Sequence, residues 1–158
     1  MSDSIVLTPA DSREQVAIAR ELFHEYSDAI GVNLEYQGFA AELEALPSPY
    51  VPPHGTLLIA QINGDTAGCV ALRRLDHQTG ELKRLYVRPA FRGWGLGEHL
   101  IEATIRAAHA AGYTALRLDT LPSMTTAQGL YRKLGFSEIP AYNNTHLPGT
   151  RFYELALI

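Results

Sequence analysis

The chain has 158 residues, which fits one domain spanning 1–158 and long enough to bury a core without disulfide or metal staples. It is 46% apolar and 19% charged, as globular domains are, and its formal net charge of −4 argues against a general nucleic-acid binder. Its one cysteine, Cys69, excludes an internal disulfide framework and a multi-cysteine metal site.

In chain order, IVLT (5–8) reads as a short strand. Ser12 and Gln15 have capping-box spacing, and Val16, Ala19, Leu22, Phe23 and Tyr26 recur at helical intervals up to Gly31. A shorter helix is expected from Tyr36 to Leu46, and the proline-rich PSPYVPPHG (47–55) is expected to be a loop. TLLIAQI and TAGCVALRRL flank Asn63-Gly64-Asp65, a hairpin signal. Cys69, in its apolar run, reads as a small buried hydrophobe. ELKRLYV (81–87) is a strand that stops at Pro89. A helix follows from Gly95 to Ala111, with Leu96, Leu100, Ala103, Ala107 and Ala110 on one face and Gly112 as its stop. ALRLDT (115–120) is a strand, Thr125 to Leu134 a helix ended by Gly135, and FSEIPAY and RFYELAL are two last strands. The expected fold is therefore a single-domain α/β structure, a mixed sheet flanked by helices in the order β-α-α-β-β-β-α-β-α-β-β. An early acidic residue, Asp3, and the lack of a long apolar run give no secretory signal or membrane span, so the expectation is a cytoplasmic protein without a membrane partner.

The run RGWGLGEHL (92–100) puts three glycines at the mouth of a helix. Helix N-termini present unpaired N–H groups and the positive end of the dipole, and bare glycines let an anion approach them. The plainer alternative is a tight strand-to-helix turn with close helix packing. The nucleotide P-loop is excluded because Glu98 and His99 follow Gly97 where Lys and Ser/Thr are needed. The dinucleotide fingerprint fails because Glu98 or Leu100 stands at its third small position.

What these residues do match is Arg-x-x-Gly-x-Gly, as Arg92, Gly95 and Gly97, after LYVRPAF. Further on, AQGLYRKLGF (127–136) matches Ala-x-x-Leu-Tyr-x-Lys-x-Gly-Phe. With both motifs in this order, the chain resembles the GCN5-related N-acetyltransferase (GNAT) superfamily, most strongly over 81–136. The resemblance implies acetyl-CoA as cosubstrate, no metal, direct transfer in a ternary complex, and a small-molecule or peptide amine as acceptor. It also implies a homodimer by analogy. Leu85, Tyr86 and Val87 would pair with the pantetheine arm, and the Leu85 N–H would stabilise the oxyanion on the acetyl carbonyl. Backbone N–H groups of Arg92, Gly93, Trp94, Gly95, Leu96 and Gly97 would bind pyrophosphate. Tyr131 stands where the family places its general acid. An asparagine that often opens the next helix is Met124 here, with Ser123, Thr125 or Thr126 as substitutes.

Glu81 stands where histone-acetylating members carry a catalytic glutamate, so it is the expected base, acting directly or through water. Its alternatives are a solvated strand-end carboxylate or a partner of Lys83 or Arg84. The resemblance makes Tyr142, Asn143 and His146, in AYNNTHLPG (141–149), acceptor contacts, with Glu35, Tyr36 and Tyr50 weaker ones on the other wall. A turn-rich loop has the same composition. His24, His99, Arg132 and Lys133 read as solvent-facing, with either of the last two an optional phosphate contact. A different class of function, a non-catalytic acyl-CoA-binding sensor or interaction module, would share the glycine cradle and need neither Tyr131 nor Glu81.

Overall fold

The computed structural model describes residues 4–158, so Asp3 lies outside it. In chain order the elements are β1 (Ile5–Pro9), α1 (Arg13–Ile30), a 3-10 turn (Leu34–Gln37), α2 (Phe39–Ala45), β2 (Thr56–Ile62), β3 (Asp65–Arg74) and β4 (Thr79–Val87). A second 3-10 turn (Pro89–Phe91), α3 (Leu96–Ala110), β5 (Ala115–Thr120), α4 (Thr125–Lys133), β6 (Ser137–Ile139) and β7 (Arg151–Ala156) complete the chain. Among the described residues, seven strands join one mixed sheet in the order β1-β2-β3-β4-β5-β7-β6, and only β4 and β5 run parallel.

Local chemistry sets several boundaries. Ser12 Oγ accepts the Gln15 N–H at 3.1 Å, which starts α1, and Gly31 at φ 69° ends it. Asn63 and Gly64 both have positive φ, as a two-residue hairpin turn between twisted strands requires. The single helix expected over Tyr36 to Leu46 is in fact two pieces. Gly38 leaves the helical region at φ 74°, and the Glu35 carboxylate takes the Ala40 N–H at 2.8 Å to start α2 afresh. The buried stripe of α3 is Leu96, Leu100, Ile101, Thr104 and Ala108, whereas Ala110 is exposed. Ile101 outweighs the alanines in setting that face, and Thr104 can join it because its hydroxyl donates to the Leu100 carbonyl at 2.9 Å.

Both faces of the sheet are covered. In β2 and β3, Leu58, Ala60, Ile62, Val70 and Leu72 point into a core shared with α3 and α4, while Leu57, Ile59, Cys69 and Ala71 point toward α1 and α2. This period-two division assigns each strand residue to one layer or the other.

Strand β4 breaks the period. Arg84 sits at φ 60°, and the register between β3 and β4 slips between Cys69 and Ala71. This is a β-bulge, which adds a residue and reverses the alternation beyond it. Before it, Leu82 packs toward α3; after it, Leu85 and Val87 do, and Tyr86 joins the α1 layer. The bulge is pinned from the α1 and α2 side. The Arg84 guanidinium donates to Glu42 at 2.6 and 3.0 Å and lies over the rings of Tyr26 and Phe39. Removing one member of so buried a pair strands the other charge and costs about 3–5 kcal/mol.

Candidate functional site

The parallel strands β4 and β5 pair only from Thr79 to Glu81, opposite Ala115 to Arg117. Beyond Glu81 they part, although β5 stays paired with β7 through Thr120. The edge of β4 that faces β5 is therefore without a strand partner from Leu82 onward, and two cavities open at the split. The larger, about 610 Å³, runs from Lys83 past Leu85 and Val87 to the start of α3 and is closed on the far side by α4. The smaller, about 300 Å³, lies between the 3-10 turn, α2, the end of β3 and the loop before β7. Lys83 and Asp119 line both.

At the far end of the larger cavity the chain enters α3. Gly93 at φ 87° and Gly95 at φ 77° adopt backbone that side chains resist, and a Cβ on either would meet open space. Their bareness therefore serves conformation and leaves the backbone open. Gly97 differs: its φ is ordinary, and a Cβ there would lie 3.1 Å from Leu130 Cδ1 on α4. Close helix packing accounts for Gly97, while Gly93 and Gly95 leave backbone open at the cavity. The Arg92 N–H is already given to the Pro89 carbonyl at 3.3 Å, so the available donors begin at Gly93 rather than Arg92. From there into the first turn of α3 the N–H groups have no carbonyl one turn back. Arg92 is exposed, its Nε donating to the Val87 carbonyl at 3.2 Å. Trp94 does not line the cavity; it stands 42% exposed with its edge toward Phe91.

Leu85, Tyr86, Val87, Ser123, Met124, Thr125 and Thr126 line the larger cavity, as does Tyr131. The Met124 sulfur accepts the Thr120 hydroxyl at 3.4 Å, and three hydroxyl-bearing residues, Ser123, Thr125 and Thr126, line the cavity beside it. Tyr131 is 4% exposed, held between Phe136 and Tyr153. Burial pushes its phenol well above the ordinary range, so it carries its proton at neutral pH. Lys133 pairs with Glu98 at 3.0 Å, and Arg132, exposed, reaches the Tyr153 hydroxyl. His24 and His99 are exposed.

Glu81 is not a solvated strand end: it is the third residue of β4 and only 2% exposed. Its partners are neither Lys83 nor Arg84. Arg73 Nε, directly across on β3, donates to one carboxylate oxygen at 2.7 Å, and the Tyr142 hydroxyl donates to the other at 2.6 Å. Tyr142 and Asn143 do line the smaller cavity, with Tyr36 and Tyr50 opposite. His146 is exposed and stacks its edge on Phe152, away from that cavity. Glu35 is exposed and occupied as a helix cap, and the Tyr50 hydroxyl donates to Glu42 at 2.8 Å. Cys69 is fully buried; burial raises its thiol far above the ordinary range, and it donates to the Arg84 carbonyl.

Sequence reasoning passed over Asp119. It stands on β5 just where the strands part, and its carboxyl is raised above the usual range by burial, against the pull of Lys83 and Arg84 and with help from Glu81. The available signal was alternation: in ALRLDT, Leu116, Leu118 and Thr120 are buried, which leaves Asp119 facing the split.

Residues 18–136 match the Acetyltransferase (GNAT) family. An uncharacterised N-acetyltransferase of Schizosaccharomyces pombe is 36% identical over 142 residues, covering 86% of this chain and 85% of the relative. Among solved structures, a GNAT-family acetyltransferase from Staphylococcus aureus superposes with a TM-score of 0.81 at 22% identity, covering 98% of this chain and all of the other. An acetyltransferase from Salmonella typhimurium, solved with its cofactor acetyl-CoA, gives a TM-score of 0.67 at 21% identity, covering 98% and 94%.

Proposed function

We propose, since the chain belongs to the acetyltransferase (GNAT) family and is an N-acetyltransferase, that it passes an acetyl group directly from acetyl-CoA in the larger cavity to an amine in the smaller one. The observation that carries this reading is the split itself: Lys83 and Asp119 line both cavities where β4 and β5 part. The residues present fit acetyl-CoA. Bare backbone donors at a helix start suit pyrophosphate, and an unpaired strand edge suits an extended amide-bearing arm. The acyl-CoA-bound Salmonella relative of the same fold supports the same ligand.

When bound, acetyl-CoA supplies the activated acyl group. The chain supplies position and charge. N–H groups from Gly93 into α3 hold the phosphates. The Leu85 N–H, next to the bulge at Arg84, would stabilise the negative charge that develops on the acetyl oxygen. Asp119 takes a proton from the acceptor's ammonium, which frees the nitrogen lone pair, and the nitrogen–carbon bond then forms. Tyr131 gives its proton to sulfur as the carbon–sulfur bond breaks. Glu81, with both oxygens held, positions Arg73 and Tyr142 and lends its charge to Asp119. The sequence-based choice of Glu81 as base is the second reading, favoured by its place on the same strand as Leu85.

Thermal denaturation with acetyl-CoA, CoA, ATP and NAD tests the cavity assignment. Acetyl-CoA and CoA should raise the midpoint and ATP and NAD should not, because a specific ligand stabilises only the folded state. Equal shifts with all four would remove the assignment.

A further inference from the structure

Five charged side chains line the smaller cavity: Glu42, Arg73, Glu81, Lys83 and Asp119. Three are already satisfied within the protein. Glu42 holds Arg84 through both oxygens and accepts the Tyr50 hydroxyl. Glu81 and Arg73 hold each other at 2.7 Å, with Tyr142 on the second oxygen of Glu81. Two charges of opposite sign remain. Lys83 Nζ reaches only the neutral amide oxygen of Gln37, at 3.4 Å, and no carboxylate among the described residues lies within 4.0 Å of it. Among the described residues Asp119 has no ion-pair partner within that distance either, and its hydrogen-bonding neighbour is the Asn143 amide.

We propose that the acceptor is a small zwitterion of the free amino acid class, whose carboxylate is received by Lys83 and whose amine is received by Asp119. This deepens the reading of the chain as an N-acetyltransferase and rests on it. A half-buried ammonium without a counter-ion is costly, and a ligand carboxylate relieves that cost in a charge-assisted hydrogen bond. A ligand amine does the same for Asp119. The pattern left over, one cation and one anion in one small cavity, is complementary to a molecule that carries one of each. A simple amine would leave Lys83 unpaired, and a polyanionic acceptor would meet the carboxylates of Asp119 and Glu81. Size agrees: about 300 Å³ is the volume of roughly ten liquid waters, room for a small metabolite. The ammonium of Lys83, pushed down from its usual pKa by burial, remains the group that an incoming carboxylate would restore.

The test is a matched acceptor panel with the full chain and acetyl-CoA, read by free-thiol release. Each of the common amino acids is paired with its carboxamide and its decarboxylated amine. At least one amino acid should exceed both of its partners in kcat/KM by roughly ten- to a hundredfold, the range of a charge-assisted hydrogen bond. Lys83→Met should collapse that ratio, chiefly through KM for the amino acid, and Lys83→Arg should restore part of it. Calorimetric titration of the same compounds in the presence of CoA gives binding without turnover. Preference for the decarboxylated amines, an unchanged ratio in a folded Lys83→Met variant, or the lack of saturable binding by every amino acid overturns the zwitterion. Failure of acetyl-CoA itself to bind strikes the acetyl-transfer reading instead, and the amino acid titrations still decide the acceptor class.

Discussion

Replacing Asp119 by Asn tests the proposed proton path through two quantities that should move in opposite directions. The carboxyl faces Lys83 and Arg84, which favour its charge, and Glu81, which opposes it; burial is the largest influence and raises its pKa. A folded-state pKa above the unfolded value of about 3.9 means that the folded chain binds this proton more tightly. The ionised group therefore costs stability once the pH exceeds its folded pKa, and that cost disappears below the unfolded pKa. Asp119→Asn keeps the shape and removes the charge, so its melting temperature at pH 7 should rise above that of the wild type, with the difference shrinking toward pH 4. Turnover should fall, by about 10²–10⁴-fold if Asp119 is the base. The fall should depend on pH. Without the carboxylate only amine already neutral in solution reacts, a fraction that grows about tenfold per pH unit below the amine pKa. The defect should be largest near pH 7 and small by pH 9 to 10. Glu81→Gln loosens Arg73 and Tyr142 and should give a defect of constant size across that range. Denaturation by circular dichroism and initial rates of thiol release measure both. Wild-type turnover in Asp119→Asn, or a pH-dependent defect in Glu81→Gln with a constant one in Asp119→Asn, would refute the assignment and return the base to Glu81.

Tyr131→Phe should cut turnover by about 10²–10⁴-fold while acetyl-CoA affinity, read by calorimetry, barely moves, since only the hydroxyl is lost. Gly95→Val should weaken acetyl-CoA binding and cost about 1–2 kcal/mol of stability, because φ 77° is a left-handed conformation. Gly97→Ala should instead report through packing: a Cβ 3.1 Å from Leu130 Cδ1 requires that side chain to give by a few tenths of an ångström, a small stability cost in urea denaturation that Leu130→Ala in the same chain should relieve. Cys69→Ala should leave turnover intact at a cost of about 1–2 kcal/mol in urea denaturation, since it removes a buried sulfur and its hydrogen bond to the Arg84 carbonyl.

The layering of the fold was legible because period-two and helical spacing follow directly from backbone geometry, as Leu58, Ala60 and Ile62 or Val16, Ala19 and Phe23 illustrate. The glycine-rich run and the tyrosine helix that line the larger cavity were legible because they are local patterns. What stayed hidden depends on chain segments far apart in sequence. The bulge at Arg84 needs Glu42, Tyr26 and Phe39 to bury its guanidinium, and nothing in ELKRLYV announces it. A solvated strand end stayed open as an alternative for Glu81 because its partners, Arg73 and Tyr142, come from β3 and from a loop 61 positions further along the chain. Asp119 drew no reading within its strand, and only the parting of β4 from β5 places it in the wall between two cavities. His146 shared its loop with Tyr142 and Asn143, but Phe152 draws its ring away.

The most direct measurement of the central claim is a transfer assay on the purified chain with acetyl-labelled acetyl-CoA and the acceptor panel, following free thiol, N-acetylated product and labelled protein together. Direct transfer between the two cavities predicts that thiol and N-acetyl product appear one to one, only when both substrates are present, and that no label is ever found on the protein. Label trapped on Cys69 or any other side chain as a kinetically competent intermediate, or thiol release indifferent to the acceptor, would contradict it.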